Sequence, residues 1–349
     1  MTRFCTRLVY SAMLLFGAIT LGFSTAAFSE PSQELMHQLN AQVLRVQVGL
    51  ANGGYGLGSG VVVAKDQIVT NCHVIANATS INVVSNGASF NVTAIKPDWR
   101  HDVCILKAEG LDAPIAKIGS SEALKYEQPV FTIGYPSFLP VPTSTFGVVK
   151  GLFPLDDSVI VRATSSFKMG ASGGGVFDGD GNLVGVITLK SPGRHGYYYN
   201  MSVEWVKAAL NLPEQAVNAK SELPFWASAP EQWPYFMKIV HPYLTQDWNG
   251  LLAIASEWAA KEPNTTEAWF YLAAAEYANK NYQKAEEHLY RVVAMNEQHS
   301  QAIYYLGLIA EESGKHNEAM MNVALLNKLD EETATQLKVA MRLVPNTEK

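Results

Sequence analysis

From residue 42 to about 210, apolar residues come in short runs separated by Gly, Asn, Asp and Pro. Val43-Leu44-Arg45-Val46-Gln47-Val48 alternates between two faces, the period of a half-buried strand. Further strand-length runs lie at 61–64, 68–70, 103–106, 130–133, 158–161 and 183–187. Many short strands with turn signals between them predict barrels or a sandwich. A helix near 203–210 is expected to close this region.

Past Leu212 the pattern changes. Residues 213–234 carry four prolines together with Phe225, Trp226 and Trp233, which reads as a linker whose aromatics dock it. Helical patterning follows, with an internal repeat of 34 residues. Trp269, Leu272, Ala273, Tyr282, Ala285 and Leu289 are matched by Ile303, Leu306, Gly307, His316, Ala319 and Val323. The pattern resembles the tetratricopeptide repeat, in which small residues let paired helices approach closely. Trp248 falls in the register of Tyr282, so 235–263 is read as a degenerate first repeat and 332–344 as a capping helix. A generic array of helical hairpins is the alternative.

The start of the chain reads as a secretory signal over 1–29. Arg3 and Arg7 precede an apolar run from Val9 to Phe23, and Ala27-Phe28-Ser29 ends it with small residues at both key positions. An uncleaved anchor is the competing reading, although a span wants roughly 20 apolar residues. The net charge is −6 and becomes −8 without Arg3 and Arg7, so no basic stripe for nucleic acid is present. The eight His and three Cys show no CxxC or HExxH spacing, so neither a metal nor another cofactor is expected.

Three segments carry candidate chemistry: Thr70-Asn71-Cys72-His73-Val74, His101-Asp102-Val103-Cys104 and Gly170-Ala171-Ser172-Gly173-Gly174. A serine hydroxyl needs a base to take its proton as it attacks a carbonyl, and an imidazole titrating near pH 6.5 suits that task. Asp102 would hold the His73 ring and stabilise its cation, with Ser172 as nucleophile. The glycines would turn the backbone so that the Gly170 and Ser172 N–H groups face an oxyanion. Singly these signals are weak. In the order His, Asp, Ser, each beside an apolar strand, they point to peptide-bond hydrolysis.

With Gly58-Ser59-Gly60-Val61-Val62, Ile133-Gly134-Tyr135-Pro136, Gly147-Val148-Val149 and the stretch from Gly196 to Val206, these segments resemble the protease domain of the HtrA (Deg) family. The resemblance covers about half the chain. It implies a chymotrypsin-like double β-barrel, with one barrel before about Lys125, a second after it and a cleft between them. The expected organisation is a multidomain chain: leader 1–29, all-β protease domain 30–212, linker 213–234 and all-α repeat domain 235–349. Two positions depart from the family, Ala171 for its Asn and Gly175 for its Pro. Its C-terminal peptide-binding domain is replaced by the repeats, so peptide-end recognition, trimer formation and chaperone behaviour are not carried over.

By register, Ser166, Ile187, Thr188, Tyr197 and Tyr199 would border the primary substrate pocket. Tyr197 or Tyr199 would shorten it and favour small apolar side chains. Cys72 and Cys104 lie beside the histidine and the aspartate, so a working triad would bring the sulfurs together for a disulfide; two separate thiols are the alternative. Phe270, Tyr277, Tyr304 and Leu308 would line a groove for a protein partner, or else serve as core. The leading function is an exported endopeptidase, periplasmic or extracellular, with a protein or peptide substrate and no stable membrane span after leader cleavage. A non-enzymatic adaptor and an esterase are the alternatives.

Overall fold

The computed structural model describes residues 31–137, 139–191 and 197–345, so the expected leader lies outside the described residues. The described chain enters through a helix that the strand-rich reading leaves out, α1 (Gln33–Gln42). Ser32 caps it by accepting the Leu35 N–H at 3.2 Å. Leu35, Met36 and Leu39 share one face and pack on the main apolar core.

Seven strands follow: β1 (Val43–Leu50), β2 (Tyr55–Ala64), β3 (Gln67–Thr70), β4 (Ala78–Ser85), β5 (Ala88–Asn91), β6 (Ala94–Asp98) and β7 (Val103–Lys107). A four-residue helix, α2 (Cys72–Ile75), leaves β3. The sheet order is β5-β4-β1-β2-β3-β7-β6, and its ladder does not close. The two edge strands are consecutive in the chain, and the residues between them make the seam. Val92 N–H donates to Ile81 O and Thr93 N–H to Lys107 O, each at 2.9 Å.

The second unit is a closed barrel of β8 (Pro129–Gly134), β9 (Thr143–Leu155), β10 (Ser158–Ala163), β11 (Gly175–Asp178), β12 (Leu183–Lys190) and β13 (Tyr198–Met201). Closure removes the open edges on which another chain could pair. The expected closing helix is α3 (Val203–Ala209), capped by Ser202.

Residues 213–234 form a strap along the first sheet. Ile95 and Gln215 exchange backbone hydrogen bonds at 3.0 and 2.7 Å, extending the β6 edge. Val217 and Ala219 pack on the first core, and Phe225 N–H donates to Arg100 O at 3.0 Å.

The remainder is helical: α4 (Tyr235–Lys238), α5 (Val240–Leu244), α6 (Trp248–Lys261), α7 (Thr266–Ala278), α8 (Tyr282–Met295), α9 (Ser300–Glu312), α10 (His316–Leu329) and α11 (Glu331–Ala340). The helices α6, α8 and α10 begin at 248, 282 and 316, and α7 and α9 at 266 and 300. Both series step by 34 residues. The repeating positions Leu272 and Leu306, Ala285 and Ala319, and Leu289 and Val323 are buried. Where the degenerate repeat wants one helix, α4 and α5 are two short ones, because Pro242 has no N–H to offer the carbonyl four residues earlier. Among the described residues no helix is long and apolar enough to cross a membrane.

The array packs directly on the second barrel. Phe153 of β9 lies 4.9 Å from Phe236 and 6.3 Å from Trp258, ring to ring. Arg162 is buried in the junction, donating to Tyr271 OH and Lys150 O at 2.5 Å each. Lys150 reaches Glu127 at 2.5 Å and Asp330 at 2.8 Å. Phe270 belongs to this interior, against His299 and Tyr305, which corrects its expected place in an open groove. Tyr277 OH is held by Glu312 at 2.9 Å, and Tyr304 and Leu308 lie half-buried against the last helices.

Glu267, at the start of α7, is buried, and desolvation pushes its carboxyl up to about 7 against the opposing pull of Arg162. A carboxyl raised in the folded state contributes stability that is fully present below about pH 4.5 and is lost as pH rises through 7. The Glu267→Gln variant should therefore gain on the wild type across that window, by up to about 3 kcal/mol. Urea denaturation at pH 4.5, 6 and 8 measures this; a constant gap between the two proteins would contradict it.

Candidate active site

Asp102 ends the turn between β6 and β7 at φ 59°, a left-handed conformation that Asp tolerates better than most residues. It is wholly buried. Its neighbour His101 pins the turn, with Nδ1 at 2.7 Å from Asp98 and Nε2 at 3.0 Å from Asp156. The His101 ring also stacks on Trp205 at 4.2 Å. Burial draws the His101 pKa down, but the two carboxylates outweigh it and the net shift is upward. Asp156 lies in the β9–β10 turn, so the second barrel anchors a turn of the first.

His73 stands on α2. Its backbone N–H donates to Asp102 Oδ1 at 2.8 Å, and its ring Nδ1 lies 2.6 Å from Asp102 Oδ2. With Asp102 accepting, Nδ1 carries the proton and Nε2 is left as an acceptor. The Cys72–Cys104 disulfide ties α2 to β7 on the inner side of this pair.

Ser172 lies across from them on the turn before β11. Its carbonyl accepts Ser59 N–H at 2.8 Å. The Ser59 hydroxyl donates to Gly170 O at 2.9 Å and accepts Tyr135 N–H at 2.8 Å. Thr70 Oγ1 donates to Ser59 O at 2.7 Å, and Asn71 Nδ2 reaches Asp102 O at 3.0 Å and Thr188 Oγ1 at 2.9 Å. Gly173, at φ +87°, packs so tightly here that a Cβ would lie 2.1 Å from Ser59 O. This chain of bonds joins the serine turn to the histidine helix and the aspartate turn. Among the described residues no hydrogen bond joins Ser172 Oγ to His73.

The backbone ahead of Ser172 is also oriented. Met169 O accepts Ser137 N–H at 2.9 Å. In a planar trans peptide the Gly170 N–H then points the opposite way. Gly170 has φ +95°, and a Cβ there would lie 2.5 Å from Ser137 N. Among the described residues neither the Gly170 N–H nor the Ser172 N–H has a hydrogen-bond acceptor.

A cavity of about 140 Å³ opens beside this turn, lined by Thr132, Thr145, Ser166, Phe167, Ala171 and Ile187 among others, none of them acidic. Ser166 and Ile187 line this cavity. The other pocket expectations need correction. Thr188 is held by Asn71 and Val186 O and does not line the cavity. Tyr199 is buried against Phe153 and Phe236, and Tyr197 faces Arg162 at 4.6 Å. Alternate side chains of a strand face opposite ways, so both point to the helical array while Tyr198 meets Phe167 at 5.0 Å.

The sequence gives Ser59 no role beyond its strand segment, Ser137 none, and Trp226 only that of an aromatic docking the linker. Trp226 Nε1 donates to Asp102 Oδ2 at 3.1 Å, and its ring meets the His73 ring edge-on at 5.5 Å. Its sole signal in the sequence is the density of aromatics in a proline-rich connector.

Residues 58–186 match the family model described as a trypsin-like peptidase domain. A protein of Pseudomonas fulva named "Probable periplasmic serine endoprotease DegP-like" is 38% identical over 136 residues, covering 37% of this chain and 28% of its own length. One of the same name from Ectopseudomonas mendocina is 32% identical over 192 residues, covering 52% and 40%. The chain thus spans well under half the length of these curated relatives. Among solved structures, the active form of the Rv3671c protease of M. tuberculosis aligns with TM-score 0.49 and 20% identity, over 55% of this chain and 92% of that one. A trypsin-like peptidase domain with DegP-like relatives, followed by a helical region, is the description these similarities support.

Proposed function

We propose that this chain is an exported serine endopeptidase of HtrA type, with Ser172 as nucleophile, His73 as general base and Asp102 orienting the imidazole. The observation that carries the reading is the 2.6 Å contact from His73 Nδ1 to a buried Asp102, joined through Asn71, Thr70 and Ser59 to the turn that bears Ser172. Ser172 Oγ attacks the substrate carbonyl as His73 Nε2 takes its proton. The oxyanion is met by the Gly170 and Ser172 N–H groups. His73 then returns the proton to the leaving amine, and water hydrolyses the acyl-enzyme by the same route. A disulfide fits an oxidising compartment, as do relatives named periplasmic.

The cavity beside Ala171 is the primary specificity pocket in this reading. Its small volume and lack of an acid favour Ala, Val or Thr before the cleaved bond. The division into a protease domain over 30–212, a connector over 213–234 and tetratricopeptide-like repeats over 235–349 belongs to the same proposal. The repeats receive a substrate or a regulating protein through the half-buried Tyr277, Tyr304 and Leu308, without Phe270. A non-catalytic adaptor would keep the architecture and lack reactivity at Ser172.

Casein turnover by the mature protein should fall by about a thousandfold or more in Ser172→Ala, with fluorophosphonate labelling lost. Equal turnover by both proteins would remove Ser172 from the mechanism. Ser59→Ala leaves Gly170 O and Tyr135 N–H without their buried partner, so it should cost about 2 kcal/mol in urea denaturation and slow labelling of Ser172. A peptide library should give cleavage after small aliphatic residues; preferred cleavage after Arg or Lys would refute the pocket assignment.

A further inference from the structure

The strap between the second barrel and the helical array crosses the first barrel where Asp102 is buried beneath the half-exposed His73. There Phe225, Trp226 and Ala227 form one turn of 3₁₀ helix. Phe225 anchors the turn, with its N–H on Arg100 O at 3.0 Å and its buried ring against Phe236 of α4 at 6.3 Å. The next side chain, Trp226, turns its indole N–H onto Asp102 Oδ2 at 3.1 Å. That oxygen also takes His73 Nδ1 at 2.6 Å, while Oδ1 takes the His73 backbone N–H. Among the described residues these are the donors that reach the carboxyl group. The nearby Thr188 hydroxyl is committed to Val186 O and to Asn71.

We infer that Trp226 is a positioning residue for the His73–Asp102 pair, supplied from outside the two barrels. The inference rests on the peptidase reading above. A carboxyl group bonded to histidine at both oxygens can still tilt about the axis between them. The indole N–H fixes Oδ2 from a third direction, and the ring, 84° to the imidazole, closes one side of the pair. An orienting group acts on the barrier to proton transfer and leaves ground-state binding of the peptide alone, so its loss appears in kcat and not in KM. The donor comes from residue 226, beyond the peptidase match over 58–186, so the barrels alone hold an incompletely oriented Asp102. Through Phe225 and Phe236 the strap is held by the first helix of the array. The array and the active site therefore share a mechanical connection that runs through one indole.

The test uses the full mature chain with Trp226 replaced by 3-benzothienylalanine, which keeps the shape of the ring and exchanges N–H for sulfur, and in parallel Trp226→Phe. Both should lower kcat on a peptide substrate by about tenfold while KM stays within about twofold, and both should move the downfield His73 Nδ1 proton resonance. An isosteric variant with unchanged kcat and an unmoved resonance, in a protein whose wild type labels at Ser172, would overturn the positioning role and leave the peptidase reading intact. A wild type that neither labels nor turns over peptide would instead overturn the peptidase reading. If both substitutions prevent folding, the indole ¹⁵N–¹H signal of Trp226 is compared between wild type and Asp102→Asn. A shift on loss of the carboxylate supports the bond, and an unmoved signal overturns it.

Discussion

A carboxyl group with no exposure has to find its donors inside the protein, because leaving it unpaired costs several kcal/mol. At Asp102 that requirement organises three parts of the chain. The histidine helix supplies two donors, the strap supplies a third, and the turn itself is held by His101 between Asp98 and Asp156. The left-handed backbone at Asp102 is tolerated because these partners over-determine its position. The disulfide from Cys72 to Cys104 restrains the same two segments covalently. What a catalytic reading calls orientation is, in structural terms, the satisfaction of one buried group.

The serine turn is governed by a different economy, that of backbone space. Gly173 and Gly170 sit where any Cβ would strike Ser59 O or Ser137 N, and both need positive φ. A Cβ on Gly134 would lie 2.8 Å from the Cβ of buried Ala171, so the end of β8 and the serine turn approach closely only because Gly134 has no side chain. Small residues face each other across that contact. The turn is shaped by Ser59 of β2 and by Ser137 just after β8, which donate to Gly170 O and Met169 O.

Period-two patterning made the strands legible, and the chemical segments singled out His73 and Asp102, which the fold brings into contact, because each signal depends on residues close in sequence. The step of 34 residues was legible for the same reason, since Leu272, Ala285 and Leu289 repeat their burial in the next unit. What could not be read came from contacts between distant segments. The barrel seam at Val92 and Thr93 looks like an ordinary loop. The helix α1 is short and capped by a single Ser32. Tyr197 and Tyr199 follow register in sequence, but the face they take depends on the array that packs over β13. Phe270 is turned into the interior by His299 and Tyr305 of the next repeat unit, contacts that its own register does not reveal.

The same packing argues against treating the helical array as a tethered accessory. Arg162 is buried where the two units meet, and its guanidinium satisfies Tyr271 from one side and Lys150 O from the other. Lys150 bridges Glu127 of the barrel and Asp330 at the start of α11, with Ser300 alongside. Separating the units would expose an aromatic cluster to water and break the Arg162–Tyr271 and Lys150–Asp330 contacts. Rigid-body swinging of the array is therefore disfavoured, and a partner bound to it would act by small displacements within a packed interface. The strap passes Asp102 at Trp226 and reaches that interface through Phe225 and Phe236, so such displacements have a short route to the carboxyl group bonded to His73.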